Sequence, residues 1–277
     1  MLNPNEIPIY AALTGAVLEV ESFALGQGVV LSRTALHLPA DSLLELLPSV
    51  PDVNHAALKV LARSGMDLCG QLYVPAEFRP QRWLDRVNAV WWIVTLLRLK
   101  VTPAVRVPLL SSEAFSEIEQ VSREGAEHWP VETERRVLPF EPGASPRIGE
   151  EDLRWVEAHW FHAGRLLVGR PPFSRAMKHL DRAYLMTEAP VALVTLWEGL
   201  GALLGTPDRD LPENVAAFLE PPGGARRELA ERIARMAEAE EAGPEVVEGF
   251  LAESYGIVKR VLLKVIEEER VPTRQEI

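Results

Sequence analysis

Arg154 and His159 stand five residues apart in RWVEAHWFH (154–162), and His162 follows three residues later. An imidazole takes up and returns a proton near neutral pH, and a guanidinium meets negative charge growing on a phosphate. Together they supply what cleavage of RNA through its 2′-hydroxyl needs. The spacing works against the pair, because five residues of helix turn two side chains about 140° apart. His159 and His162 do share a helix face, as a shared metal would require. A metal site also needs a further ligand and groups that orient the histidines. Glu151, Glu157 and His179 are the candidates for that role, and no spacing marks them, so no metal is expected. The two histidines are read as lining a helix-packing seam with Trp155.

A second set is basic: Arg79, Arg82, Arg86, Arg98, Lys100 and Arg106, opposed locally only by Asp85. Arg79, Arg82 and Arg86 fall on one helical face, interleaved with Trp83, Trp91 and Trp92. Basic groups beside aromatic rings suit single-stranded nucleic acid. They equally suit arginines that lay their stems over a core and pair with acids. The net charge of −11 favours the structural reading and gives the whole molecule no basic footprint for RNA. Glu198 is the third oddity, a carboxylate inside the apolar run APVALVTLWEGLGALLG (189–205). Buried there, it must find a cation or donors, and Arg232 or Arg235 is the expected partner.

The elements that position these residues fall into two halves. IPIYAALTGAVLEVESF and GVVLSRTAL alternate like strands, with LGQG as the turn between them. ADSLLELL is helical, and HAALKVLA fits a helix or a strand. In MDLCGQLYV, Met66, Leu68, Leu72 and Val74 alternate with Asp67, Cys69, Gln71 and Tyr73, so Cys69, the only cysteine, is read as a strand residue rather than a nucleophile. A helix is expected over 81–99, and strands at AVRVPLL and ERRVLPF. After FEPGASPRIGEE (140–151), rich in Pro, Gly and Ser, the patterns are helical to the end. The predicted fold is therefore α+β: a mixed strand and helix domain over 1–145, then an all-helical bundle over 146–277.

Nothing in the chain carries phosphate-loop, nucleophile-elbow or dinucleotide spacing, so no cofactor is expected. The apolar run 189–205 is too short to span a bilayer, and the N-terminus lacks a basic segment followed by an apolar one. A cytoplasmic protein is expected, with no membrane partner. Few Asn and Gln beside many Pro, Arg and Glu fit a thermophile.

FSRAMKHLDRAYL followed by APVALVTLWEGLGALLG resembles the Apea-like branch of the HEPN superfamily, as do AERIARM and YGIVKRVLLKVIEE downstream. The N-terminal ESFALGQGVVLSRT is similar to the strand-rich domain often joined to that bundle. The resemblance implies a helical bundle that pairs into a homodimer or binds a protein partner, in a prokaryotic defence setting. It also implies a metal-independent ribonuclease site, an Arg followed after four to six residues by His near the last long helix. The corresponding stretch here is RMAEAEEAGPE (235–245). Arg235 is present, but no histidine follows it, since His179 is the last of six. Glu238, Glu240, Glu241 and Glu245 would repel a phosphate there. Gly201 also stands where the family's central helix carries a glutamate. The expected function is that of a degenerate member acting through dimerisation or partner binding. Two alternatives stand beside it: a ribonuclease using Arg154, His159 or His162 or a site completed across a dimer, and a non-cutting binder of single-stranded nucleic acid through Arg79, Arg82 and Arg86.

Overall fold

The computed structural model describes residues 7–63, 65–78, 84–116, 126–133, 138, 146–237 and 244–273. The architecture is α+β, with a six-stranded antiparallel sheet and nine α-helices among the described residues. The chain divides into two compact units at Trp160/Phe161.

In the first unit, β1 (Ile9–Leu13), β3 (Ser22–Ala24), β4 (Val30–Leu38) and β5 (Met66–Val74) form most of the sheet, completed by β6 (Leu109–Ser111) and β7 (His128–Pro130), in the order β3-β4-β5-β1-β6-β7. The LGQG turn forms as its residues dictate. Gly26, Gln27 and Gly28 all take positive φ (85°, 54° and 78°), a region open to glycine at little cost, and Leu25 N–H closes the turn on the Val29 carbonyl at 2.9 Å. In β5 Met66, Leu68, Leu72 and Val74 are buried as expected, but Gly70 and Gln71 between them are buried as well, so the alternation breaks in the middle of the strand. A bulge between Arg33 and Leu36 shifts the β4–β5 register by one residue.

HAALKVLA is a helix, α2 (His55–Ala62). With α1 (Ala40–Glu45) it covers the sheet face that carries Ala12, packing Leu43, Leu46, Val50, Leu58 and Ala62 onto Leu38, Met66, Leu68 and Leu109. The helix α3 (Arg86–Lys100) is buried nearly all round and packs on β1 and β5. It starts later than the expected residue 81, because Asp85 caps it, accepting from Asn88 N–H at 2.7 Å. β7 was not expected from the sequence, and the expected strand ERRVLPF lies outside the described residues apart from Leu138.

The division of the chain into compact units falls within α4 (Glu150–Gly169). β8 (Arg147–Ile148) pairs in parallel with β2 (Val17–Leu18), and the first turns of α4 pack with the strand-rich unit. Trp92 Nε1 donates to the Trp160 carbonyl at 2.8 Å, and the Lys100 ammonium lies 5.3 Å from the Trp155 ring centre.

The second unit is helical throughout its described residues: α5 (Pro171–Leu185), α6 (Ala189–Leu204), α7 (Leu211–Leu219), α8 (Gly224–Ala237) and α9 (Pro244–Glu267). The apolar helix α6 is the centre, packed on α5, α9 and α7. The helical pattern expected to the end of the chain forms α9, with Val247, Leu251, Val258, Val261, Leu262 and Val265 buried and Phe250 half-buried. The hydroxyls of Tyr184 on α5 and Tyr255 on α9 meet at 3.1 Å in the interior. No single helix among the described residues is long and apolar enough to cross a membrane.

Candidate functional site

The residues singled out by spacing do not assemble. Arg154 turns back along α4 to Glu150, with Nη2 2.6 Å and Nε 3.1 Å from Oε1. His159 Nδ1 lies 2.7 Å from the Trp155 carbonyl one turn earlier, and its ring stacks on the Trp155 indole at 4.7 Å. That contact makes Nδ1 the protonated nitrogen, since a carbonyl only accepts. In the second unit, His162 Nδ1 accepts from Arg165 Nη2 and has the Glu269 carboxylate 3.4 Å away. A ring accepting from Arg165 through Nδ1 cannot also donate to Glu269 through it, so the neutral form uses the arginine. No group of three or more His, Cys, Asp or Glu among the described residues could hold a metal.

Of the described members of the basic cluster, Arg86 and Arg98 are interior, while Lys100 and Arg106 are half-buried. Arg86 is 2% exposed and donates through Nη1 to the carbonyls of Ile7 (2.7 Å) and Ala76 (3.0 Å). Arg86 thus follows the structural reading that the net charge favoured, and its place as a candidate nucleic-acid contact is not realised: at the start of a largely buried helix it satisfies backbone carbonyls instead. Arg98 is equally buried, held on both oxygens of Glu132 at 2.8 and 2.7 Å. Arg106 Nη2 donates to the Glu132 carbonyl at 2.8 Å. Arg79 and Arg82 lie outside the described residues. Arg86→Ala is expected to cost about 1–3 kcal/mol of stability by stranding the two carbonyls. Urea unfolding measures this; an unchanged midpoint would refute the assignment.

Two residues expected to be buried polar groups are not. Glu198 is 60% exposed, on the same face of α6 as Val191 and Val194, which are exposed as well. Its neighbour is His179 of α5, with Nδ1 3.4 Å from Oε2, a distance without hydrogen-bond alignment. Gly199 permits this approach, since a Cβ there would sit 3.0 Å from His179 Cβ. Arg235 is also exposed, on α8, and Arg232 pairs with Glu253 at 3.1 Å rather than with Glu198. The acidic connector after Arg235, residues 238–243, lies outside the described residues. Cys69 behaves as a strand residue: Sγ donates to the Leu13 carbonyl at 3.2 Å, and burial pushes its thiol above the ordinary value.

A different constellation emerges from the sheet register. Val30 pairs with Tyr73, Tyr73 with Tyr10, Tyr10 with Ser111 and Ser111 with His128. Directly opposed residues of antiparallel strands share a face, so Tyr73, Tyr10, Ser111 and His128 form a row across four strands. The tyrosine rings are half-buried and tilted against each other at 4.9 Å, while Ser111 and His128 are fully buried. Ser49, just beyond α1, donates its hydroxyl to the Leu46 carbonyl at 2.7 Å and stands 2.7 Å from His128 Nδ1. The hydroxyl hydrogen being spent on Leu46, His128 must donate through Nδ1, leaving Nε2 as a bare acceptor. Nε2 is buried without a partner, and so is Glu113 Oε2. The chain after β6 folds over this same face. Glu113 N–H bonds to Ser111 Oγ at 2.9 Å, and Phe115 N–H to Gln71 Oε1 at 2.9 Å.

Comparison with protein-family models, with curated proteins and with solved structures finds no match.

The row can hold a neutral imidazole rigidly, since burial lowers the pKa of His128 to about 4. Ser49, Ser111, Glu113 and His128 carried no signal in the sequence. They are separated by up to 79 residues, and only strand pairing unites them. The parity of MDLCGQLYV placed Tyr73 on the same side as Gln71, and Tyr73 is one of the four members of the row.

Proposed function

We propose that the protein works by binding rather than by cutting RNA, its helical unit serving as a degenerate HEPN-like module that pairs with a second copy or with a protein partner. The observation that carries this reading is the separate commitment of the candidate catalytic groups. Arg154 is turned to Glu150, His159 to its own helix backbone and His162 to Arg165. A proton-transfer group must reach the atom it serves, and these three point to different partners. The exposed apolar positions Leu185 (62%), Val191 (44%) and Val194 (36%) offer a surface for a second copy. Sedimentation velocity tests this. A dimer at micromolar concentration that Val194→Glu converts to monomer is the expected result. A wild-type monomer across the concentration series contradicts the pairing.

A further inference from the structure

We infer that His162, Arg165 and Glu269 form a proton-operated clasp, in which a proton taken up by His162 tightens the hold of α4 on the C-terminal turn of α9. All three side chains belong to the helical unit, and the clasp works within one chain whether or not that unit pairs.

α9 ends at Glu267, and the chain beyond it closes a turn of the kind that glycine usually completes. Glu269 N–H bonds to the Ile266 carbonyl at 3.2 Å and Arg270 N–H to the Val265 carbonyl at 3.3 Å. Glu269 itself takes a φ of 52°. Glycine is favoured at that left-handed position, because a Cβ there crowds the backbone. A carboxylate is also disfavoured at the C-terminal end of a helix, where the dipole is negative. Glu269 therefore breaks two local rules at once, and a contact from elsewhere in the chain must compensate. That contact comes from α4. The carboxylate stands 3.4 Å from His162 Nδ1 and 4.0 Å from Arg165 Nη2.

In the neutral ring, Nδ1 accepts from Arg165 Nη2 and has no hydrogen to offer Glu269. A protonated ring carries N–H on both nitrogens. Nδ1 then releases Arg165 and donates to Glu269, a hydrogen bond between opposite charges. Proton uptake thus exchanges a bond within α4 for one between α4 and the turn. The other charged groups of the turn are Lys264, Glu267, Glu268 and Arg270, and Glu268 is already held by Arg270 at 3.5 Å and Lys264 at 3.9 Å. With Arg165 and Glu269 they make three bases against three acids, so no excess of positive charge opposes the proton.

Amide hydrogen exchange of Glu269 and Arg270, followed by NMR on the full chain and corrected for the intrinsic effect of pH, tests the clasp. Lowering the pH from about 7.5 to about 5.5 takes an ordinary imidazole through its proton uptake and leaves carboxylates charged. The expected result is a rise of about two- to fivefold in the protection of both amides, the size of a part-exposed ion pair. His162→Asn keeps an acceptor for Arg165 but takes up no proton, and Glu269→Gln keeps the side-chain shape without the charge. The two side chains are 38% and 52% exposed, so both variants are expected to fold, and circular dichroism checks that they do. Neither should show the rise. Protection that stays level or falls in acid in the wild type overturns the inference, and so does a rise of the same size in either variant.

Discussion

Glu132→Ala is expected to destabilise the strand-rich unit by about 3–5 kcal/mol, the cost typical of breaking a buried ion pair from one side. The side chains of Arg98 and Glu132 are 4% and 7% exposed. The carboxylate takes two bonds from Arg98 and one from Val107 N–H at 2.7 Å, tying the end of α3 to the β6–β7 pair. Removing it leaves a buried guanidinium beside Arg106. Arg106 is already pushed below its ordinary pKa, chiefly by burial and then by the charge of Arg98. The double variant Arg98→Met with Glu132→Leu removes both charges together and should cost much less than the single one. Urea unfolding of Arg98→Met, Glu132→Leu and the double variant measures this. Singles and double that add without coupling would contradict the ion pair.

The second large effect is a loss of stability in acid that originates at His128. In the folded chain its imidazole stays neutral down to about pH 4, whereas the unfolded chain takes up the proton near the ordinary value of 6.5. Between those limits the unfolded state binds more protons, so stability falls as pH drops from about 6.5 and levels off below about 4. The loss accumulated across the window is about 3 kcal/mol. Chemical unfolding at a series of pH values should show it, and His128→Gln should flatten that part of the profile. An unchanged slope in a folded His128→Gln variant would place the acid sensitivity elsewhere.

The fold was largely legible where local rules agree with tertiary packing. The period of α9, the apolar run of α6, the strand at MDLCGQLYV and the glycine turn at LGQG all read through to the structure, because local pattern and packing agree there. Legibility failed where burial depends on partners distant in the chain. Glu198 sits in an apolar sequence, yet α6 leaves one face uncovered and the carboxylate takes it. Arg86 sits in a basic stretch, yet the helix it begins is buried nearly all round, and its guanidinium is itself buried and turns to the backbone carbonyls of Ile7 and Ala76. The candidate site was the least legible part. A row of four side chains from four strands exists only once the register of β5, β1, β6 and β7 is fixed, and β7 is three residues long. Arg154, His159 and His162, by contrast, are conspicuous because they are close in sequence, yet each is bonded to a different partner.

The most direct test of binding in place of catalysis is incubation of the purified protein with single-stranded and structured RNA in the presence of a chelator, at neutral pH, beside His159→Ala and His162→Ala. The account predicts intact RNA in all three, with no difference between them. Metal-independent cleavage by the wild type that disappears in either variant would contradict it.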